Sequence, residues 1–471
     1  MTTPSSEQDK LVRVLARGDV LALAFGAMIG WGWIVLTGTA IQSAGSIGAI
    51  LAFIIGGLAI IMVGLTYAEL ASAMPKVGGE HVYSYRALGH LPSFLCTWAI
   101  ILGYLSVVAF EAVALPTVIE HLAPNYAVGH LWTIAGWEVK ATWVAVGVGG
   151  SLAMMIINYF GVTTAALIQK VVTGMILLVG VLFVTGALFE GDTINMMPLF
   201  TQADTGVVAG IVAVLVMVPF LFVGFDVIPQ AAEEINLPYK AIGKVLMMSV
   251  ILAVVWYALI ILATSLALNS TELAASSLSV PDAMGSLFNA PWASNLMVLA
   301  GIAGIITSWN AFYIGGSRAI YALAKAGMLP ATFAKLHPRY KTPTNAIFLM
   351  GFLSCIAPFF GRPALVWIVN AGGLGIVIAY LFVAISFVVL RVREPEMERP
   401  FRIRHGKLCG TLAVVLSFGM ACLYLPGSPA ALSGAEWSIF AGWSLLGVGL
   451  YIHALRTYGR AYSDQHMMAD L

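Results

Sequence analysis

The sequence predicts an all-α integral membrane protein with twelve transmembrane helices. Of its 471 residues, 60% are hydrophobic and only 10% are charged, and the mean hydropathy is +0.94. Soluble domains carry about 25% charged residues, so this composition excludes an ordinary soluble fold. Apolar runs of about 20 residues, enough to cross a bilayer as a helix, recur along nearly the whole chain. Because lipid offers the backbone no hydrogen-bond partner, these runs must be helical.

Polar breaks between the apolar runs define the predicted spans. We expect spans at residues 18–43, 46–74, 91–119, 139–160, 164–189, 206–231, 243–268, 293–325, 344–361, 364–390, 407–426 and 436–456. Lys and Arg are retained on the cytoplasmic side of short loops. With both termini cytoplasmic, 20 of the 23 basic residues fall inside, Lys170 lies near the inner end of span 5, and only Lys140 and Arg362 fall outside.

The ends of the chain and its loops favour a cell membrane, in particular a bacterial inner membrane. Residues 1–17 lack the short apolar core and cleavage site of a secretory peptide, so the first run is expected to be a retained span. Long tails and glycosylation-rich outside loops are also lacking. The expected partners are therefore a lipid bilayer and a small-molecule substrate.

Several functional classes lack support in the sequence. The cysteines have no spacing typical of a disulfide framework or a metal site. There is no P-loop, so an enzyme or an ATP-driven pump is disfavoured. We expect no cofactor and no nucleic-acid partner, and the sequence does not indicate an oligomeric state. The four cysteines are Cys96, Cys355, Cys409 and Cys422.

The spans divide into two sets of five and a remainder. We expect a cytoplasmic tail at 1–17, a first five-span repeat at 18–205 and a second at 206–406. Because five is odd, the two repeats have opposite orientation. Two peripheral spans then occupy 407–456, and a second cytoplasmic tail occupies 457–471.

Two spans contain helix-breaking residues at matching places of the two repeats. Span 1 carries Gly30 and Gly32, each of which weakens a helix by about 1 kcal/mol relative to alanine. Span 6 carries Pro219, Gly224 and Asp226 inside one apolar run. Interrupted helices at corresponding positions of inverted repeats indicate a transporter site. The alternative for either break alone is glycine that serves close helix packing.

Further motifs give the chain a resemblance to a known family. They are Ile29-Gly30-Trp31-Gly32, residues 67–83 after span 2, Gly224-Phe225-Asp226 with Glu233-Glu234, Ser317-Arg318, residues 326–330 and Thr342-Pro343. In this order they resemble the amino acid–polyamine–organocation transporters over about residues 18–426. The resemblance implies a leucine-transporter-type fold of two inverted five-helix repeats that works by alternating access.

The resemblance also implies a substrate site at the two breaks. Backbone amides from Ile29 to Trp33, around Gly30, Trp31 and Gly32, would hold a substrate carboxylate. Carbonyls of Phe222, Val223 and Gly224 would hold its amino group. Half-helix ends carry partial charges of these two signs, so the assignment is physically reasonable. Phe220 would close over the substrate, and Asp226 would cap or orient the inner half of span 6.

Two tryptophans and one acid depart from the family pattern. Trp31 and Trp33 replace smaller residues, and the Trp31 indole is expected either to point away from the pocket or to shrink it. A shrunken pocket would favour small substrates, and the indole could also attract an amine. Glu111 lies within span 3, where a carboxylate indicates function by default. We expect it to handle a proton or an amine, or else to line an outer vestibule.

The sequence leaves several possibilities for the coupling ion and for the substrate. Thr307 and Ser308 resemble a hydroxyl pair that binds sodium in distant members of the fold, although such hydroxyls often bond their own helix. Proton coupling through Glu111 and ion-independent exchange are the other possibilities. The leading hypothesis is transport of a small neutral amino acid. The rivals are an organic amine or polyamine carrier and a nutrient sensor that binds without transport.

Overall fold

The computed structural model describes residues 11–201, 206–276, 278–428 and 431–470. Residues 1–10 of the predicted first tail, the predicted repeat boundary at 205 and Leu471 lie outside the described residues. Nearly all described residues within the predicted spans are helical. The helices are α1 Arg17–Met28, α2 Gly32–Ala44, α3 Ser46–Ala73, α4 Glu80–Leu88, α5 His90–Leu122, α6 Ala141–Tyr159, α7 Val162–Glu190, α8 Val207–Leu215, α9 Val218–Phe222, α10 Val227–Gln230, α11 Tyr239–Ala267, α12 Ser270–Ala275, α13 Ser279–Leu287, α14 Pro291–Lys325, α15 Thr344–Ile356, α16 Ala364–Arg393, α17 Gly406–Cys422, α18 Gly434–Tyr458 and α19 Arg460–Asp470.

Short elements complete the described chain. One part of it is a two-stranded antiparallel hairpin of β1 His130–Ile134 and β2 Trp137–Lys140, and the last two residues of β2 lie within the predicted span 139–160. Its two turn residues, Ala135 and Gly136, have φ of 49° and 78°, the left-handed conformation that tight hairpin turns require. The 3₁₀ turns are Thr193–Met196, Ala232–Glu234, Ala331–Ala334 and Ala357–Phe360.

The prediction of a multi-pass helical membrane protein is confirmed. Within the described ranges, nine helical segments are long and apolar enough to cross a membrane. The pair α1 and α2 forms a further candidate, bent by 42° at its break. Shorter apolar helices at Thr344–Phe360 and Gly406–Cys422 occupy the predicted ninth and eleventh spans. The count of twelve spans stays a prediction.

The two ends of the described chain lie at one face of the molecule, called here the terminal face. Leu11 packs with Val77 and Tyr321 near the start of the chain. His466 of α19 lies beside the same Val77. The β-hairpin follows the other end of α5 and packs against the turn at Phe359, so it marks the opposite face.

Small residues let the central helices approach closely. Helix α3 packs against α11, and α5 packs against both α14 and α16. A Cβ at Gly57 would lie 2.7 Å from the Val254 side chain, and one at Gly56 would lie 2.7 Å from Val218. Membrane helices associate through such close van der Waals packing, because lipid removes the hydrophobic drive between them.

A buried ion pair lies at the terminal face, on the loop that follows α10. Arg318 of α14 donates to both Glu234 carboxylate oxygens, at 3.0 and 2.9 Å, and their side chains are 1% and 3% exposed. The carbonyl of Glu234 also accepts from the amide of Leu15 at 2.9 Å, and Asn236 donates back to Leu15 at 2.9 Å. The N-terminal segment is thus tied to the loop after α10.

The Arg318–Glu234 pair yields a stability prediction with an internal control. Arg318→Gln leaves a buried carboxylate without its partner, so the free energy of unfolding should fall by about 3–5 kcal/mol. Arg86→Gln breaks the half-exposed pair with Glu394 and should cost about 0–1 kcal/mol. Unfolding of both variants in detergent checks this. Equal losses would mean that the buried Arg318–Glu234 pair contributes no more to stability than the partly exposed Arg86–Glu394 pair.

Candidate substrate site

The first break separates α1 from α2 in the middle of the bilayer-crossing segment. Helix α1 ends at Met28, Ile29 leaves the helical region with φ −107° and ψ 47°, and α2 begins at Gly32. Gly30 is required here, since a Cβ would lie 2.7 Å from Ser308 Oγ and 2.8 Å from Glu111 Oε1. The break therefore lies directly against α5 and α14.

The second break separates α9 from α10. After Phe222 the chain becomes extended at Val223, with φ −63° and ψ 140°, and Gly224 has φ 139°, which favours glycine. The Asp226 carboxylate caps this break, because it accepts from the Gly224 amide at 2.7 Å and from Tyr104 OH at 3.0 Å. The side chain makes no capping bond to α10 itself, so the expectation that Asp226 caps or orients the inner half of span 6 stays a prediction.

The two breaks contact each other. A Cβ at Gly224 would lie 2.6 Å from Ala27 Cβ and 3.0 Å from the Met28 nitrogen. Tyr257 of α11 joins the same two segments, since its hydroxyl donates to the Met28 carbonyl at 2.9 Å and approaches the Leu221 carbonyl at 3.3 Å. Backbone groups freed by the breaks therefore find partners inside the protein.

A small cavity of about 20 Å³ lies between the breaks. This volume suits about one water molecule, so the site must widen to admit an amino acid. Predicted site residues in its wall are Gly30, Gly32, Glu111, Phe220, Val223 and Ser308, and the other wall residues are Ala27, Met28, Val107, Phe110, Leu221, Tyr257 and Phe312. The remaining predicted residues are buried outside this wall: Ile29, Trp31, Trp33, Phe222, Gly224, Asp226 and Thr307.

The two tryptophan rings point away from the cavity. The Trp31 ring covers Gly301 of α14, where any Cβ would overlap it. Trp33 packs edge-on against Trp256, with ring centroids 5.2 Å apart. Of the two expectations for the Trp31 indole, this arrangement matches the one in which it points away from the pocket. Both rings serve packing. Gly301 on α14 leaves the space that the Trp31 indole fills, and the Trp33 ring lies against Trp256.

Glu111 is buried beside the first break, with 1% of its surface exposed. Its Oε1 accepts from Ser308, and the backbone of Trp31 lies next to the carboxylate. Its Oε2 has no hydrogen-bond partner among the described residues. The alternative of an acid in an outer vestibule is therefore wrong. Thr307 donates to the Gly304 carbonyl at 2.9 Å and so bonds its own helix.

Comparison with known sequences identifies the family. The sequence profile described as amino acid permease matches residues 18–450. The chain belongs to the amino acid permease family. It is a transporter rather than an enzyme, and the resemblance seen in the motifs is confirmed.

Relatives of this permease have diverse substrates. It is 26% identical to a branched-chain amino acid permease of Bacillus subtilis, over 98% of this chain and 96% of the relative. It is 27% identical to a methylthioribose transporter of the same organism, over 97% and 96%. An aspartate-proton symporter, also from Bacillus subtilis, is 25% identical over 88% and 79%. Because these names differ in substrate, specificity must be argued from the site.

Seven wall residues of the permease were missed by sequence reasoning, and three of them are aromatic. Phe110 packs edge-on with Phe220 at a centroid distance of 5.5 Å, and Phe312 and Tyr257 complete an aromatic lining. The sequence gives a signal for Phe110, which precedes Glu111 on the same helix. Phe312 and Tyr257 carry no local signal, since aromatic residues are common in membrane helices.

A larger groove in the permease does not compete as the substrate site. It measures about 590 Å³ and lies between α5, α15, α16 and α18. Its lining is almost wholly apolar, for example Leu102, Trp367 and Leu446, and includes no charged side chain. A groove of this kind cannot orient a zwitterion, whereas the small cavity presents a carboxylate and helix ends.

Gly30 gives the sharpest mutational test of the site. Gly30→Ala forces Ser308 and Glu111 away from the break, and an overpacking cost of about 1–3 kcal/mol should lower transport about fivefold or more. Gly149→Ala in α6 is the matched control, because a Cβ there meets nothing within 4 Å. The measurement is substrate uptake by both variants, normalised to the amount of folded protein. Full transport activity of Gly30→Ala would show that the first break does not form part of the substrate site.

Proposed function

We propose that this permease is a secondary transporter of small amino acids that holds its substrate between the two broken helices. The observation that carries the proposal is the contact between the breaks, with Gly224 against Ala27 and a cavity beside them. Half-helix ends at membrane depth supply oriented amides and carbonyls for a polar ligand. The aromatic wall of Phe110, Phe220, Tyr257 and Phe312 limits the size of that ligand.

Alternating access is the second part of the proposal, with twelve spans arranged as two inverted repeats. Each of two central helices packs against its predicted counterpart, α3 against α11 and α5 against α14. Both ends of the described chain lie at the terminal face, and this supports an even number of spans. The Arg318–Glu234 pair supports a gate at that face, and the Phe110–Phe220 contact supports a gate on the other side. We place both termini in the cytoplasm of a bacterial cell.

Counterflow in proteoliposomes tests the transport activity. Vesicles loaded with an unlabelled small amino acid should accumulate the labelled compound, and protein-free vesicles should not. Arg318→Gln, whose terminal gate is weakened, should alter the rate. Binding detected by thermal shift without any counterflow would favour the rival, a sensor that binds without transport.

We further propose proton coupling through Glu111. Among the described residues of the cavity wall, it is the only one with an acidic or basic side chain. Ser308 and the Trp31 backbone lie beside it, and Tyr257 faces the same cavity. A carboxylate in this position can carry a proton as the site alternates.

The coupling proposal predicts a change in pH dependence. Uptake by the wild type should vary between mildly acidic and mildly alkaline pH, whereas Glu111→Gln cannot ionise and should give a flat profile. Rates in vesicles with matched internal and external pH check this. A pH profile that Glu111→Gln leaves unchanged would assign the proton to another group.

A further inference from the structure

Glu80 is the first residue of α4 and belongs to the motif of residues 67–83, which the substrate site does not use. Its side chain is fully buried, with 0% of its surface exposed. It pairs with Gln230, the last residue of α10, whose Nε2 donates to Glu80 Oε2. Val77, three residues before Glu80, belongs to the terminal face. A carboxyl group of the first predicted repeat thus contacts the short helix that follows the second break, on the terminal side.

The bond between these two side chains leaves two oxygens without partners. Glu80 Oε1 and Gln230 Oε1 are both buried, and neither accepts a hydrogen bond from a described residue. Buried polar atoms are normally hydrogen-bonded, and two acceptor oxygens cannot bond each other. A protonated carboxyl group, in contrast, has an O–H that can donate to an amide oxygen while the amide N–H donates back. One proton on Glu80 would satisfy both oxygens.

The surroundings of Glu80 supply no positive charge among the described residues. The titratable side chains that interact with it electrostatically are Tyr67 of α3, Tyr83 of α4, Cys96 and Tyr104 of α5, Asp226 of the second break and Tyr380 of α16. His81, the next residue of α4, bonds with Ser93. Arg318 of α14 binds Glu234. An ionised carboxylate is costly in such a place, so the neutral acid is favoured.

Glu80 and Asp226 form an acidic pair with unequal support. Asp226 accepts hydrogen bonds from the Gly224 amide at 2.7 Å and from the Tyr104 hydroxyl at 3.0 Å, and such bonds stabilise its anion. Glu80 Oε1 receives no such bond. Burial raises the pKa of Glu80 well above its usual range, and the nearby Asp226 raises it further. Of the two acids, Glu80 is therefore the one suited to hold a proton.

We infer that Glu80 is a second proton site of the transporter, which holds a proton on Oε1 against Gln230 and releases it at the terminal face when α10 moves. The inference rests on the proposed alternating access, in which opening of that face moves α10. Once the Gln230 amide leaves, water reaches Glu80, the O–H bond breaks and the proton passes to water. Glu111 lies at the first break, so the two acids are separate sites.

Infrared spectroscopy of the purified protein tests the protonation. The wild type at neutral pH should show the C=O stretching band of a protonated carboxyl group, and Glu80→Gln should lack the part of that band that Glu80 contributes. Gln230→Leu should shift the same part, because the acid loses its hydrogen-bonded partner. Glu396→Gln, at an exposed acid in the loop after α16, is the control and should leave the band unchanged.

A band that neither Glu80→Gln nor Gln230→Leu changes would overturn the inference, because Glu80 would then be ionised in the folded protein. Gln230→Leu keeps this test available if Glu80→Gln does not fold.

Proton-driven transport tests the release step. Glu80→Gln can form the same reciprocal pair with Gln230 through its own amide, but it has no proton to release. Counterflow of labelled valine at equal pH on both sides should therefore be kept. Accumulation of valine driven by a pH gradient should be lost, because the proton has no release site at the terminal face. Glu396→Gln should keep both activities.

The outcomes separate the inference from the proposed function. If a pH gradient drives valine into vesicles with Glu80→Gln as it does with the wild type, the inference is overturned and proton coupling through Glu111 stands. Equal losses of counterflow and gradient-driven uptake also overturn it, since they indicate a structural role. A wild type that exchanges valine but does not respond to the gradient overturns it as well. If the wild type shows no counterflow, the proposed function itself fails, whatever the infrared band shows.

Discussion

The hydrogen bonds of the helix backbone are the constraint on which this structure depends. In hydrocarbon an unpaired backbone group costs several kcal/mol, so a membrane helix can be interrupted only where protein surrounds the interruption. Both interruptions of this chain meet that condition by facing each other. Gly224 lies against Ala27, Tyr257 bonds the carbonyl of Met28, and Asp226 caps the amide of Gly224.

The same constraint produces the chemistry of the site. Helix ends that cannot be solvated by lipid present oriented dipoles to a common cavity, and glycines allow α5 and α14 to approach them. Glu111 is then held against the first break by Ser308. Among the described residues of the cavity wall, Glu111 is the only one with an acidic or basic side chain. The closed volume of about 20 Å³ means that binding and opening must be linked.

Sequence reasoning located the spans and the breaks because their signals are local. Helix α11 begins at Tyr239, close to the predicted 243, and the breaks fall at the predicted glycines. The orientation of side chains is not a local property. Trp31 fits over Gly301, 270 residues away in sequence, and Glu111 meets Ser308 on another helix. The hairpin after α5 was missed because its strands are short, although its Ala-Gly turn was visible in the sequence.

Local sequence patterns also could not predict which charged side chains are neighbours in the fold. Glu234 and Arg318 belong to motifs that are 84 residues apart, and only the fold brings them into a bidentate pair. The expected charge orientation at the first break followed from the helix end alone. The Glu111 carboxyl group lies against that end in the fold, and its position on another helix could not be read from the local sequence.

A structure of the permease with a bound small amino acid tests the central claim most directly. Crystallography or electron cryomicroscopy with valine should place the ligand between the two breaks, with its charged groups on the backbone of the breaks and its alkyl group among the cavity aromatics. Density for the ligand away from Gly30 and Val223, for example in the apolar groove beside Trp367, would contradict the account.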